Sequence, residues 1–337
     1  MQPALFDTKN GEAHETLSFI KLNGKQQRVS PVFFTYWKFA AERHAVFTRR
    51  LQGVSPSTTD PIIQHFKFTN AFRVLDRTSQ YLVRNVIQKG DQSVNELFFR
   101  ILLFKLFNKI DTWELLLQHL GEVRLDSFRF ERFDRVFTDA LSKGKRIYSA
   151  AYIMPSGGPN GESRKHRAHL RLLEQMLEND VPYKLAGLKT MREGFSLLRS
   201  FPMIGDFLAY QFITDINYSS ITNFSEMEFV VAGPGALDGL KKCFPDMIPG
   251  EAASLIQFVC EEQERFQADY GIEPVQIFGR PLQLIDCQNL FCETDKYARV
   301  AHPQIKGYSG RTRIKQAYRT AGSLPEPVFP DKWKVNI

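Results

Sequence analysis

The sequence predicts a mainly α-helical fold with a few short strands. Apolar residues recur at helical spacing through most of the chain, and strand-like runs are confined to short stretches such as MEFVVAG and VQIF. No regular strand–helix alternation is present, which excludes a doubly wound sheet, and no internal repeat is visible. The 337 residues are 43% hydrophobic and include 29 Phe, enough for a sizeable core divided between two lobes.

Residues 1–30 read as an arm with short strand character around Leu17 to Leu22. Pro31 then opens a helix that Gly53 stops. SPSTTDPIIQHFKF is a loop feeding a further helical stretch, TNAFRVLDRTSQYLVRNVI, with Val74, Thr78 and Leu82 on one stripe and Asn70, Arg73, Arg77 and Arg84 near another. SVNELFFRILLFKLFN is apolar almost throughout and predicts a central buried helix. Helical patterns continue in IDTWELLLQHLG, SFRFERFDRVFTDALSKG and the basic SRKHRAHLRLLEQMLEN, the last preceded by the loop PSGGPNGES. The body is expected over 31–320 and a Pro-rich extended tail over 321–337.

A formal net charge of +7, from 44 basic and 37 acidic residues, permits a polyanionic partner without demanding one. The four cysteines fit neither a disulfide scaffold nor a common metal spacing and read as free thiols; no metal site is expected. No signal peptide or apolar run of about 18 residues is visible, so the expectation is a soluble intracellular protein without a membrane partner. A Gly-x-x-x-x-Gly-Lys-Ser/Thr loop is absent.

Within Met191–Ser219, one helix ends near Ser200, a turn spans Phe201 to Gly205, and a second helix starts near Asp206. The amides there suit a phosphate, although an ordinary helix turn reads equally well. Downstream, Glu228 stands on an apparent short strand before Gly233-Pro234-Gly235, which leads into a helix bearing Lys241 and Lys242. LIDCQNLFCETDKYARV crowds Asp286, Gln288, Asn289, Glu293, Asp295 and Lys296 together, and buried members of such a set need partners. Either they line a pocket or they tie distant elements through backbone hydrogen bonds. Lys306, Arg311, Arg313 and Lys315, interleaved with tyrosines, read either as phosphate contacts or as a solvated basic helix.

The arrangement of the 201–205 turn and Glu228 resembles the helix-hairpin-helix DNA glycosylases. The resemblance implies that the turn, with Met203 and Gly205, grips a DNA backbone and that Glu228 occupies the place of the catalytic carboxylate. Met203 stands where a glycine is usual, Asp206 places a carboxylate toward phosphate, and the iron–sulfur cysteines of some glycosylases are missing. Five motifs in order, FKFTNAFRVLDR, FFRILLFKLFNKIDTW, IGDFLAYQFITDINYS, EFVVAGPGA and LQLIDCQNLFCETDKYARV, resemble the alpha-glutamyl/putrescinyl thymine pyrophosphorylase family, also named for the helical domain of hydroxymethyl-deoxyuridine DNA kinases.

That resemblance implies a divergent glycosylase-like helical fold. It also implies a transferase in which an amino acid or polyamine, as co-substrate, displaces pyrophosphate from a modified pyrimidine in double-stranded DNA. Glu228, then Asp286, are the candidate catalytic carboxylates. Arg73 and Arg77, one turn apart on a helix, are expected to bind pyrophosphate or DNA, or else to pair with Asp76. Asn70 and Gln211 are candidates to read a flipped base, Tyr218 to stack on it, and Gln288 and Asn289 to bind the amine. Lys241 and Lys242 join the hairpin and the basic tail as candidate DNA contacts. Excision of a modified pyrimidine and non-catalytic binding of modified DNA stand as alternatives.

Overall fold

A computed structural model describes residues 18–22, 24–150, 154–155, 164–319 and 322–335. In chain order these form β1 (Phe19–Leu22), β2 (Lys25–Arg28), α1 (Pro31–Leu51), α2 (Pro61–His65), α3 (Arg77–Tyr81), α4 (Val94–Phe107), α5 (Ile110–Leu120), α6 (Phe130–Ser142) and α7 (Lys165–Glu178). There follow α8 (Val181–Gly187), α9 (Met191–Arg199), α10 (Asp206–Ile216), α11 (Pro234–Cys243), α12 (Ala252–Glu261), α13 (Gln263–Asp269), β3 (Gln276–Ile277), β4 (Arg280–Pro281) and α14 (Leu284–Ala301). The fold is mainly α, with two separate antiparallel hairpins, β1–β2 and β3–β4, as its strands among the described residues. The chain divides into two units, Met1–Leu75 with Val230–Glu326, and Asp76–Phe229 with Pro327–Ile337. The tail expected over 321–337 is thus shared between the units. PSGGPNGES lies almost wholly outside the described residues.

The first unit is built on α1, α11 and α14. Helix α1 starts where sequence rules place it: the Ser30 hydroxyl accepts from Val32 N at 3.1 Å, and Pro31 needs no donor partner at the first turn. Its Tyr36 ring stacks on Phe291 of α14 at 4.3 Å, and Phe33 meets Phe244 and Phe266 at 5.0 Å. Helices α11 and α14 approach until Gly239 lies against the Phe291 carbonyl and Gly235 against the Cys292 side chain; a Cβ at either glycine would overlap these atoms. One turn beyond, Lys242 is buried against Asp295 at 2.8 Å and also donates to the Asp295 carbonyl at 3.0 Å. Losing one member of such a pair costs about 3–5 kcal/mol, because the other stays buried and charged. Asp238, also on α11, accepts from Ser309 N and Arg311 Nη2, both at 2.8 Å. These bonds hold the chain after α14 as an extended strap, which continues to an isolated bridge between Phe66 and Ala317. The strap contains no helix, because its backbone bonds go to Asp238 and to residues 65–67 instead.

In the hairpin β3–β4 the two turn residues, Phe278 and Gly279, both have positive φ, 48° and 77°. A two-residue turn of this hand favours Asn-Gly. Phe in the left-handed region costs about 1–2 kcal/mol. The hairpin is nevertheless rigidly held: Val275 N donates to Gln267 Oε1 at 2.8 Å, and Leu282 exchanges bonds of 3.0 Å with the Gln263 side-chain amide.

The second unit surrounds α4, nearly all of which is buried, as its apolar run predicts. Its Lys105 pairs with Asp215 of α10 at 3.0 Å and donates to Asn108 Oδ1 at 2.8 Å, where the helix ends in a left-handed residue. On α6 and α7, Asp134 accepts from His166 Nε2 at 2.8 Å and from Arg167 through two nitrogens at 2.9 and 2.8 Å. The fully buried His169 shares a 2.7 Å bond with the Tyr148 hydroxyl. The 327–335 segment is integral to this unit: Gln80 pairs with the Val328 backbone in both directions at 2.9 Å, and Lys332 donates to Thr222 O at 2.8 Å.

Two local expectations need correction. Residues 227–233 form no strand: 227 lies in a turn and 228 in a bend, 229–233 join no ladder, and Phe229 instead packs on Phe195 at 4.9 Å and Tyr210 at 5.9 Å. The stretch 70–87 is no single helix. A 3-10 turn, Arg73–Leu75, ends before Asp76; α3 follows, and then a π-helical turn, Leu82–Ile87. Arg73 and Arg77 therefore do not share a helix face.

Two outcomes follow from this packing. Gly239→Ala is expected to lower stability by about 3 kcal/mol in urea unfolding, since its overlap is with backbone. Gly235→Ala should cost less, and Cys292→Ala should recover part of that loss; a Gly239→Ala protein as stable as wild type would contradict the close approach. Burial holds the His169 imidazole down at about 4, against an ordinary 6.5, with Lys165 adding to the effect. The unfolded chain thus binds this proton more tightly. The resulting stabilisation, about 3 kcal/mol, is complete above the ordinary value and is lost as pH falls toward 4. His169→Gln should flatten the fall in unfolding free energy between pH 7 and 4.5, and an unchanged slope would refute the assignment.

Candidate functional site

In the first unit, α14 organises a polar centre from its acidic residues. Asp286 is buried and accepts two backbone N–H groups, Gln283 N at 3.0 Å, which closes the start of α14, and Arg73 N at 2.7 Å. Two turns along, Glu293 accepts Thr69 N at 3.0 Å and pairs with Lys296 at 2.5 Å. The helix thereby grips segment 69–73 at both ends. Asn70 Nδ2 donates to Leu75 O at 2.6 Å, which folds that segment into its tight turn. Arg73 is buried by this arrangement at 3% exposure, whereas Arg77 is exposed and belongs to the other unit. Gln288 is buried one face away from the grip, and its Oε1 has no hydrogen-bond partner among the described residues. Asn289 is half-buried beside it on the helix.

Most of the chemistry crowded into α14 therefore anchors backbone. Asp286, Glu293 and Asp295 are all engaged by groups of their own unit, and the four cysteines are free thiols. Burial pushes the Cys292 thiol up to about 12, so it is not poised as a nucleophile.

In the second unit, α9 and α10 form the hairpin expected over Met191–Ser219. Thr190 and Glu193 cap α9 reciprocally, with Glu193 N to Thr190 Oγ1 at 3.2 Å and Thr190 N to Glu193 Oε2 at 3.0 Å. In the turn, Met203 adopts φ 66°, a conformation that favours glycine. Asp206, a carboxylate at the mouth of α10, pairs with Arg199 at 2.6 Å, which offsets its charge there. Gly205 is exposed at the start of α10. Glu228 is also exposed and accepts Met191 N at 3.4 Å, at the start of α9. Gln211 is buried on α10.

Several expected contacts are taken up by the fold. Tyr218 is buried, its ring edge-to-face with Trp333 at 5.7 Å, and so offers no open face to a base. Lys242 is committed to Asp295. Lys241 donates to Pro245 O at 2.6 Å and covers the Tyr308 ring at 5.2 Å. Neither lysine stands free to meet phosphate, and near the start of the same helix Gly235 is used for packing on α14. Arg311 is neutralised by Asp238 at 2.8 Å, and Lys306 donates to Pro303 O at 2.5 Å. Arg313 and Lys315 are exposed on the strap.

Sequence reasoning missed Lys105 and Asp215. A lysine inside the apolar run ILLFKLF was the available signal: a cation on a buried helix face requires a buried anion, which α10 supplies.

The sequence profile described as 5-hmdU DNA kinase, helical domain, matches residues 30–307. Among curated proteins the chain is similar to the 5-hmdU DNA kinase of Bacillus phage SP10, with 22% identity over 287 residues. That match covers 78% of this chain and 44% of the phage protein, so the chain spans less than half the length of the curated relative. No solved structure matches. Among the described residues no helix is long and apolar enough to cross a membrane, and no three His, Cys, Asp or Glu side chains gather as a metal site. With the profile covering all of α1 to α14, the chain belongs to the family of the 5-hmdU DNA kinase helical domain.

Proposed function

We propose that this chain transfers an amine onto a modified pyrimidine in DNA. The nitrogen of an amino acid or polyamine attacks the methylene carbon of 5-pyrophosphoryloxymethyluracil. The carbon–oxygen bond breaks, pyrophosphate leaves with its electron pair, and the nitrogen gives up a proton to a carboxylate. The observation that carries this reading is the match of residues 30–307 to the helical domain of a DNA kinase, in a sequence without a Gly-x-x-x-x-Gly-Lys-Ser/Thr loop. The phage relative is named as a kinase over its whole length, of which this chain corresponds to 44%.

The residue roles belong to the same proposal. The base leaves the stack to be reached. Gln288 Oε1, a buried acceptor without a partner among the described residues, suits the N–H of a pyrimidine or of the incoming amine. Arg73, held by its own backbone N–H on Asp286, is the candidate cation for the leaving pyrophosphate, and Asn70 shapes the turn that carries it. Glu228, exposed and only weakly engaged by Met191 N, is the candidate proton acceptor, with Asp286 as a positioned carboxylate rather than a mobile base. Gln211 remains a candidate for base recognition, and Gly205, Arg313 and Lys315 for contacts to the DNA backbone.

The test is incubation with duplex DNA carrying 5-pyrophosphoryloxymethyluracil and a panel of amino acids and polyamines. Pyrophosphate release with a matching mass gain on the base is the expected result. Abasic sites instead would favour excision, and neither product across the panel would reject both enzymes. Glu228→Gln should lower turnover about 100-fold with unchanged stability. Asp286→Asn should also lower stability by about 1–2 kcal/mol, since one buried N–H loses its acceptor. Wild-type turnover in Glu228→Gln would remove that residue from the chemistry.

A further inference from the structure

Phe278 is at odds with its surroundings. It sits at the tip of the β3–β4 hairpin, 51% exposed, in a positive-φ conformation that bulky side chains avoid. Asparagine or glycine would suit the turn better, and a polar residue would suit the exposure better. The hairpin beneath it does not yield to this strain. Gln267 and Gln263 hold the backbone of Val275 and Leu282, which flank the two strands, and the His44 imidazole faces the Gln276 backbone while its ring meets Phe72 edge-on at 5.2 Å. Strain that persists on a rigid support at an exposed tip points to a use for the tip.

The location narrows that use. Strand β4 runs through Leu282 and Gln283 straight into α14, and Gln283 N is one of the two donors to Asp286. Phe72, against which His44 rests, is the residue before Arg73. The tip and the Arg73–Asp286 centre are thus parts of one connected framework within the first unit. The hairpin's only charged side chain is Arg280, which favours a polyanion beside the aromatic tip over an apolar protein face.

We infer that Phe278 is a wedge that enters the base stack of duplex DNA and fills the space an extruded pyrimidine leaves. An apolar side chain inserted between base steps lowers the cost of unstacking, and a strained, rigid tip loses little freedom on insertion. This inference rests on the reading of DNA as substrate. It adds a residue that acts on the duplex without touching the reacting atoms.

The experiment compares wild type, Phe278→Ala, Phe278→Asn and Phe278→Trp in binding oligonucleotides with one 5-hydroxymethyluracil, as duplex and as single strand. The expected result is at least a tenfold loss of duplex affinity for the Ala and Asn variants, less than twofold loss on single strand, and retention by Phe278→Trp. Thermal unfolding should show Phe278→Asn at least as stable as wild type, so the loss is not misfolding. Equal losses on both DNA forms, or no loss on duplex, overturn the wedge while leaving DNA binding intact. A change in sedimentation with unchanged duplex affinity makes the tip a contact between copies and also overturns it. If wild type binds neither DNA form, the DNA reading falls and the wedge falls with it.

Discussion

The close approach of α11 to α14 is the constraint on which the first unit depends. Two glycines one helical turn apart bring the backbones together until Gly239 meets the Phe291 carbonyl. At that separation Lys242 reaches Asp295 within the core, and the pair fixes how the helices slide and rotate against each other. Everything else in the unit takes its position from α14. Its first turn receives β4, its Asp286 and Glu293 hold segment 69–73, and its Phe291 stacks on α1. The facing side of α11 carries Asp238, which pins the strap; there Gly307 leaves room that a side chain would fill.

Much of this was legible in the sequence, for identifiable reasons. Helices α1, α4 and α7 follow from apolar periodicity, and α1 also from Ser30 and Pro31 at its start. The α9–α10 turn was readable from Pro202 and Gly205. Less legible was anything decided by a distant partner. Residues 69–75 have helical spacing, yet the N–H groups of Thr69 and Arg73 go to carboxylates more than two hundred positions away, so the helix gives way to a short turn. The run at 227–233 has strand composition but no neighbouring strand. In Gly233-Pro234-Gly235 the second glycine serves helix packing, which no local pattern announces.

Charge was hardest to place. Lys242 reads from the sequence as a DNA contact, and Lys105 and Arg100 lie in an apolar run that names no partner for them; all three are buried in ion pairs. Each pair joins groups whose proximity only the folded chain creates, apart from the Arg100–Glu96 pair within α4. Arg77, Arg313 and Lys315 remain exposed, so composition alone overstates the positive charge at the surface.

The grip of α14 on segment 69–73 is made entirely through main-chain hydrogens. Such an anchor is indifferent to which side chains the segment carries, apart from proline, which lacks the hydrogen. At Thr69 and Arg73 the grip therefore fixes the backbone, while Asn70 holds the turn through its side chain and Phe72 packs on His44. A lineage with this scaffold keeps that short turn in place through its backbone, so a change of side chain at Thr69 leaves the anchor itself intact.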